Sequence, residues 1–196
     1  MSRKRLSNRR RPPYEIKPTV IIIADGETEK DYINRLKELN YFKNVHLKFE
    51  TGHESNFHIK LKEHLENKDN VFLILDIDNV LDGGRYEKIA RLMNNSEYNI
   101  FYNNYSFETW LLNHKFNFAS PIIESSQYNI HFKNHFDVDS WSENKNKSNR
   151  DKVMNQIDTV GIDTAVINII NINHKRWDKN PSSNMDEFIN KIKKIK

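Results

Sequence analysis

Five apolar residues in a row followed by two carboxylates, Val71-Phe-Leu-Ile-Leu-Asp-Ile-Asp78, constrain this chain more than any other stretch. An uninterrupted apolar run of that length reads as a strand buried on both faces, as in a sheet covered by helices on each side. Residues i and i+2 of an extended chain share a face, so Asp76 and Asp78 are expected to reach one point beyond the strand's end. Open parallel sheets build their sites at the carboxyl ends of strands. Asp-Ile-Asp is therefore a candidate metal platform. The plainer alternative is that the two aspartates only open a loop, where Asp is common.

The flanking segments repeat the strand-then-helix pattern. Residues 1–17 lack apolar periodicity and contain Pro12-Pro13, which reads as a flexible arm. Thr19-Val-Ile-Ile-Ile-Ala24 reads as the first buried strand, ending in Asp25-Gly26-Glu27-Thr28-Glu29. Gly26 permits a sharp strand-to-helix turn. Thr28 and Asp31 have capping-box spacing, and the helix should run to about Leu39 with Asn40 as its stop. Val45 to Phe49 alternates and reads as a second strand. A helix from about Asn56 to Glu66 follows, then the Asp-Ile-Asp strand, a loop at Leu81-Asp-Gly-Gly84, and a helix marked by Tyr86, Ile89, Ala90 and Met93. Tyr98 to Tyr102 reads as a fourth strand, and Ser106 is placed to cap a helix carrying Phe107, Trp110 and Leu111 inward.

This order predicts an α/β fold with a mostly parallel four-stranded sheet flanked by helices over residues 18–114. Three strand ends then deliver carboxylates to one edge: Asp25 and Glu29, Asp76 and Asp78, and Glu108. Residues 115–196 are expected to form a mainly helical extension packed on that core. Within it, Asn144 to Asn149 reads as an exposed turn, and a largely helical stretch runs from Arg150 to about Ile172 with a break near Gly161. Asn180-Pro181 is expected to break the chain, and Ser182 or Ser183 to cap a last helix bearing Met185, Phe188, Ile189 and Ile192.

Charge is unevenly spread. Arg3, Lys4, Arg5, Arg9, Arg10 and Arg11 precede a body that is net negative, and Lys191, Lys193, Lys194 and Lys196 follow it, within a formal net charge of +4. A basic arm is commonly a contact to nucleic acid; otherwise it is a solvated tail. There is no cysteine, so neither a disulfide framework nor a thiolate metal site is available. No apolar run approaches the ~20 residues of a membrane span, and the basic N-terminus lacks the apolar segment of a signal peptide. A soluble, cytoplasmic protein with no membrane partner is expected.

Clustered carboxylates repel unless a cation intervenes. Mg²⁺ (or Mn²⁺) meets that need with a few carboxylates, waters and substrate phosphates. Asp25 or Glu29, left off the metal, would be the general base or acid. Lys175 is a candidate for neutralising charge on a phosphate, or else a plain surface lysine. His131 and His135 have i,i+4 spacing without a third ligand and read as packing or surface residues. Trp110, Trp141 and Trp177 read as packing groups. Neither GxxxxGK[ST] nor GxGxxG occurs, which argues against nucleotide binding by those routes.

The four blocks Ile23-Ala-Asp-Gly-Glu-Thr-Glu-Lys-Asp-Tyr32, Phe72-Leu-Ile-Leu-Asp-Ile-Asp78, Tyr105-Ser-Phe-Glu-Thr-Trp-Leu-Leu-Asn-His114 and Asn180-Pro-Ser-Ser183, in this order, resemble the RloB/AbiLii family of small Toprim-domain proteins. The resemblance covers nearly the whole chain. It implies a Toprim fold and a metal-dependent nuclease acting in bacterial anti-phage defence, often alongside an ABC/AAA-type ATPase. It implies that Asp76 and Asp78 hold Mg²⁺, that Glu108 is a further ligand, and that Asp25 stands where Toprim proteins usually carry Glu. That aspartate is one methylene shorter, so either Asp25 itself serves as the acid–base group, or Glu29 or Glu27 takes over, or activity is reduced. Two other readings compete. One is a haloacid-dehalogenase-type phosphatase with Asp76 as nucleophile, although that motif normally lies on the first strand and no late acidic pair follows. The other is a non-catalytic module that binds metal or nucleic acid. A homodimer is compatible with every reading.

Overall fold

The computed structural model describes residues 17–78, 83–170, 172 and 176–196. The basic arm Arg3–Arg11 and Lys175 lie outside the described residues. Strands β1 (Thr19–Ala24), β2 (His46–Thr51), β3 (Asn70–Asp76) and β4 (Asn99–Asn104) alternate with helices α1 (Glu27–Glu38), α2 (Phe57–Glu66) and α3 (Gly83–Met93). The strands lie in the order β2-β1-β3-β4, all parallel. Parallel pairing needs a crossover between consecutive strands, and each helix supplies one. All four strands therefore end on one edge.

The sheet is five-stranded rather than four-stranded. Ser182 and Ser183 form β5 (Ser182–Ser183), antiparallel to β4, with Asn103 opposite Ser183 and Asn104 opposite Ser182, and the Ser183 hydroxyl also accepts from the N–H of Met185, the first residue of the last helix, at 3.2 Å. The physical reason is that β4 would otherwise expose a buried edge: Asn103 is fully buried and Asn104 nearly so, and the Ser183 hydroxyl donates to Asn103 Oδ1 at 2.9 Å. Asn184 takes the N-cap of α8 (Met185–Lys194). Its side chain reaches back to β4, accepting from Tyr102 N–H at 2.7 Å and donating to the Ile100 carbonyl.

Alternation along the strands divides the core into two layers. Val20, Ile22, Phe72, Ile74 and Phe101 face one cluster with α1, α8 and α4 (Phe107–Asn113). Ile21, Ile23, Val71, Leu73, Leu75 and Ile100 face the other, against Phe57 and Leu61 of α2 and Ile89 of α3. Since β3 is apolar on both sides, the continuous run from Val71 to Leu75 is accounted for.

Several local expectations are corrected. The Thr28/Asp31 capping box does not form: the N-cap of α1 is Gly26, Thr28 lies inside the first turn, and Asp31 pairs with Arg150 at 2.7 Å. Gly26 has extended backbone (φ −96°), so its role is space: a Cβ there would sit 2.0 Å from Glu29 Oε2. Asn40 does stop α1, in left-handed backbone (φ 48°), with Tyr41 N–H returning to the Leu36 carbonyl as in a Schellman close. Ser106 stands at the N-cap of α4, but its hydroxyl is turned to Glu108 instead of the helix backbone.

The C-terminal region is built from a 3-10 turn (Ser125–Gln127), α5 (Tyr128–Phe136), α6 (Lys147–Asn155), α7 (Thr159–Ile169) and α8. The helix break falls at residues 156–158, not near Gly161, because Asp158 caps α7 by accepting from Gly161 N–H at 2.7 Å. Likewise α6 starts at Lys147, inside the stretch read as a turn, where Asn146 caps it. His131 and His135 stack on Phe116, at ring distances of 5.9 and 4.1 Å. Trp110 and Trp141 are fully buried, and Trp177 lies against Tyr86.

One contact locks α1 to α4, and another ties the C-terminal region to the sheet. Tyr32 of α1 donates to His114 Nε2 at 3.2 Å, while His114 Nδ1–H donates to the Trp110 carbonyl, which fixes the neutral tautomer. Phe188 of α8 packs edge-on against Phe72 and Phe101, at 6.0 and 5.3 Å, and is fully buried. Phe188→Ala is accordingly expected to cost about 3–5 kcal/mol of stability, read as a lowered urea midpoint in a single transition. A loss below about 1 kcal/mol would mean that α8 is not part of the sheet's core.

Candidate metal and phosphate pocket

A pocket of about 420 Å³ opens at the edge where β1 and β3 end. Its walls include Asp25, Glu29, Asp76, Asp78 and Glu108, together with Arg85, Lys145 and Arg150. The expected carboxylates thus come to one place, with three cations that sequence reasoning did not assign to it. Their environments differ sharply.

Asp76 is the last residue of β3. Its Oδ1 is buried without a hydrogen-bond partner. Burial, then the charges of Glu29, Glu108 and Asp78, push its pKa well above the usual range, with the Phe107 backbone N–H pulling the other way. Asp78 does not continue the strand. It adopts left-handed backbone (φ 53°) and its N–H bonds the Tyr105 carbonyl. The expected same-face pair is thereby bent, because extended backbone ends before Asp78. The turn is held by Arg85, which donates to the carbonyls of Asp76 and Ile77, to Asp78 Oδ2 at 3.4 Å and to Glu54 at 2.8 Å. Burial raises the Asp78 pKa, with Arg85 opposing it.

Glu29 sits in the first turn of α1, 8 % exposed. Its carboxyl folds back over the space left by Gly26. Burial raises its pKa to about 7, opposed by a backbone N–H bond and reinforced by Glu108. Asp25, by contrast, is exposed at the rim, with Oδ1 2.6 Å from His53 Nδ1. Of the three carboxyls considered for acid–base work, Asp25 and Glu27 are exposed and Glu29 is the buried one whose pKa lies near neutrality.

Glu108 is buried and fully engaged. Its Oε2 accepts from Ser106 at 2.5 Å, and its Oε1 accepts from the Trp141 indole at 2.9 Å and from Lys145 at 2.6 Å. Burial would raise its pKa, but Lys145 and the hydrogen bonds outweigh that and hold it low. Lys145 itself is held in place: Arg150 donates to its carbonyl at 2.6 Å and pairs with Asp31 of α1. Nothing in the run Asn144-Lys-Asn-Lys-Ser-Asn149 marks Lys145 as different from a surface lysine. Arg85 likewise follows Gly83-Gly84 without a periodic signal.

Among the described residues, no group of three or more His, Cys, Asp or Glu side chains is gathered so as to hold a metal ion. The donor chemistry nevertheless fits a hard cation that keeps most of its waters. The donors are all oxygen, one carboxylate oxygen is buried without a partner, and the cluster's mutual repulsion favours positive charge.

The Glu29 shift carries a stability consequence. A carboxyl whose folded pKa lies above its unfolded value holds its proton in the native state while the unfolded chain releases it. Stability then falls as pH rises from the ordinary 4.5 to about 7. In metal-free buffer, Glu29→Gln is expected to remove that loss. The variant should gain up to roughly 3 kcal/mol on wild type at pH 8 relative to pH 4.5, measured by urea unfolding. A difference between the two proteins that stays constant with pH would contradict the assignment.

The RloB-like protein family model matches residues 20–192, from the first strand to the last helix. No curated protein and no solved structure matched the chain. The matched span contains every carboxylate and cation of the pocket, and on that match the chain belongs to the RloB-like protein family.

Proposed function

We propose that this protein is a Mg²⁺-dependent (or Mn²⁺-dependent) nuclease of Toprim type that hydrolyses phosphodiester bonds in DNA or RNA. The observation that carries the reading is the buried, unpartnered Oδ1 of Asp76, at a strand end that opens into the acidic pocket. A carboxylate oxygen left free at the mouth of an acidic pocket is the donor a cation site requires. Asp76 and Asp78 would hold the ion. When bound, it supplies positive charge against the phosphate oxygens of the substrate.

The chain's own residues do the rest. Glu29, with a pKa near neutrality, takes the proton from the attacking water as the phosphorus–oxygen bond to the leaving sugar breaks. Arg85 fixes the Asp76–Asp78 turn so that both carboxylates keep their place. Asp25 at the rim has its carboxylate on His53, a position that suits orientation of Glu29 or of substrate rather than proton transfer. The arm Arg3–Arg11 adds sequence-independent affinity for nucleic acid, and Lys175 remains a further candidate for the phosphate. Family membership supports a role as effector of an anti-phage defence system, in the cytoplasm, partnered by an ABC/AAA-type ATPase. Among the described residues, no helix is long and apolar enough to cross a membrane.

A second reading, a binding module without turnover, is favoured by one observation: both Glu108 oxygens are already engaged. Incubation with plasmid DNA and with total tRNA, in Mg²⁺, Mn²⁺ or EDTA, separates the two. The expected outcome is metal-dependent cutting of one polymer, reduced at least about a thousandfold in Asp76→Ala/Asp78→Ala. Cutting that survives in the double variant would reject the nuclease reading, and metal-dependent binding without cutting, with the ATPase present, would establish the module.

A further inference from the structure

The pocket carries a cation of its own, and its placement is over-determined. Lys145 stands in the loop before α6, remote in sequence from every strand end. Its Nζ is 2.6 Å from Glu108 Oε1. Its backbone is fixed by Arg150, which also pairs with Asp31 and Glu27 of α1, the helix that also carries Glu29. Asn149 holds the preceding carbonyl, of Asn144, at 2.8 Å. Around the ammonium lie Glu108, Asp76 and Glu29, all of which favour its charged form, against the opposing effect of burial. Three acidic side chains therefore surround one lysine in a single pocket. With both Glu108 oxygens hydrogen-bonded, that carboxylate has little left to offer a metal.

We infer that Lys145 is a built-in counter-ion standing in the place of a second divalent cation, so that the pocket takes one divalent ion per chain, on the Asp76–Asp78 side. The inference rests on the metal-dependent reading of the same pocket. Two-ion sites need a carboxylate set on both sides of the substrate phosphate. Here the Glu108 side is already neutralised by an ammonium, which keeps its charge without having to be bound from solution. Lys145 also repels a metal close to Glu108 by like charge. The C-terminal region thereby completes the charge balance of a site whose acids come from the strand ends.

The test is the stoichiometry of Mn²⁺ on the full chain without nucleic acid, by calorimetric titration with MnCl₂ and by the loss of the free-Mn²⁺ paramagnetic resonance signal. Wild type is expected to bind one ion. Lys145→Arg keeps the charge and should also bind one. Lys145→Gln frees Glu108 and should bind two, the first at least about tenfold more tightly than in wild type. Two ions in wild type, or one ion at unchanged affinity in folded Lys145→Gln, overturns the inference and leaves the nuclease reading standing. No binding in wild type overturns the metal-dependent reading, and this inference with it. The wild-type count decides even where Lys145→Gln does not fold, and circular dichroism establishes whether it does.

Discussion

The structure depends on how several carboxylates are kept together out of water. Asp76, Glu29 and Glu108 are each largely removed from solvent at one end of the sheet, and each raises the cost of ionising the others. Two devices relieve that cost. Glu108 is held ionised by Lys145, Ser106 and Trp141. Lys145 also acts on Asp76 and Glu29, but burial outweighs it there and pushes both toward their protonated forms. The site is thus polarised into a neutralised half and an unneutralised half. That asymmetry, rather than the number of acids, decides where a cation is wanted.

The scaffold exists to hold that asymmetry still. Parallel strands place Asp25, Asp76 and the approach to Glu108 along one edge, and helices α1 and α4 supply Glu29 and Glu108 from their first turns. The two helices are locked by the Tyr32–His114 hydrogen bond. The C-terminal region adds to this: β5 closes the edge of β4, α8 fills the face under Phe72 and Phe101, and the loop before α6 brings Lys145. Trp141, stacked on Phe132 at 4.3 Å, anchors that loop and gives its indole N–H to Glu108. Packing and charge are therefore coupled through a few residues, and a change at Trp141 or Arg150 reaches the pocket without lining its floor.

Family membership and geometry bear on different questions. The family match runs from the first strand to the last helix and accounts for the order of the four motif blocks. It does not say which of the neighbouring acids does which task. The aspartate at position 25 is an instance. A motif comparison places the acid–base group there, whereas the fold leaves Asp25 at the rim on His53 and buries Glu29 one turn along. The shorter side chain at position 25 is thereby accommodated without asking it to reach the pocket floor.

What the sequence determined by itself was whatever depends on neighbours along the chain. The apolar run Val71–Leu75 dictated a strand covered on both faces, its alternation with helical periods dictated parallel pairing, and parallel pairing dictated that the strand-end acids share an edge. Asn40 as a helix stop is equally local, since it needs only a residue tolerant of left-handed backbone. The tertiary structure decided what depends on charge and space between remote segments. It turned Thr28 and Ser106 away from their expected capping roles, because Arg150 drew Asp31 away and Glu108 competed for the Ser106 hydroxyl, and it set the Ser182–Ser183 pair on the open edge of β4 while Ser183 still meets the first N–H of the last helix. It chose Lys145 from a run of polar residues that local pattern could not distinguish. A carboxylate's burial, and the cation that answers it, are properties of three-dimensional distance and dielectric, which no spacing along the chain encodes.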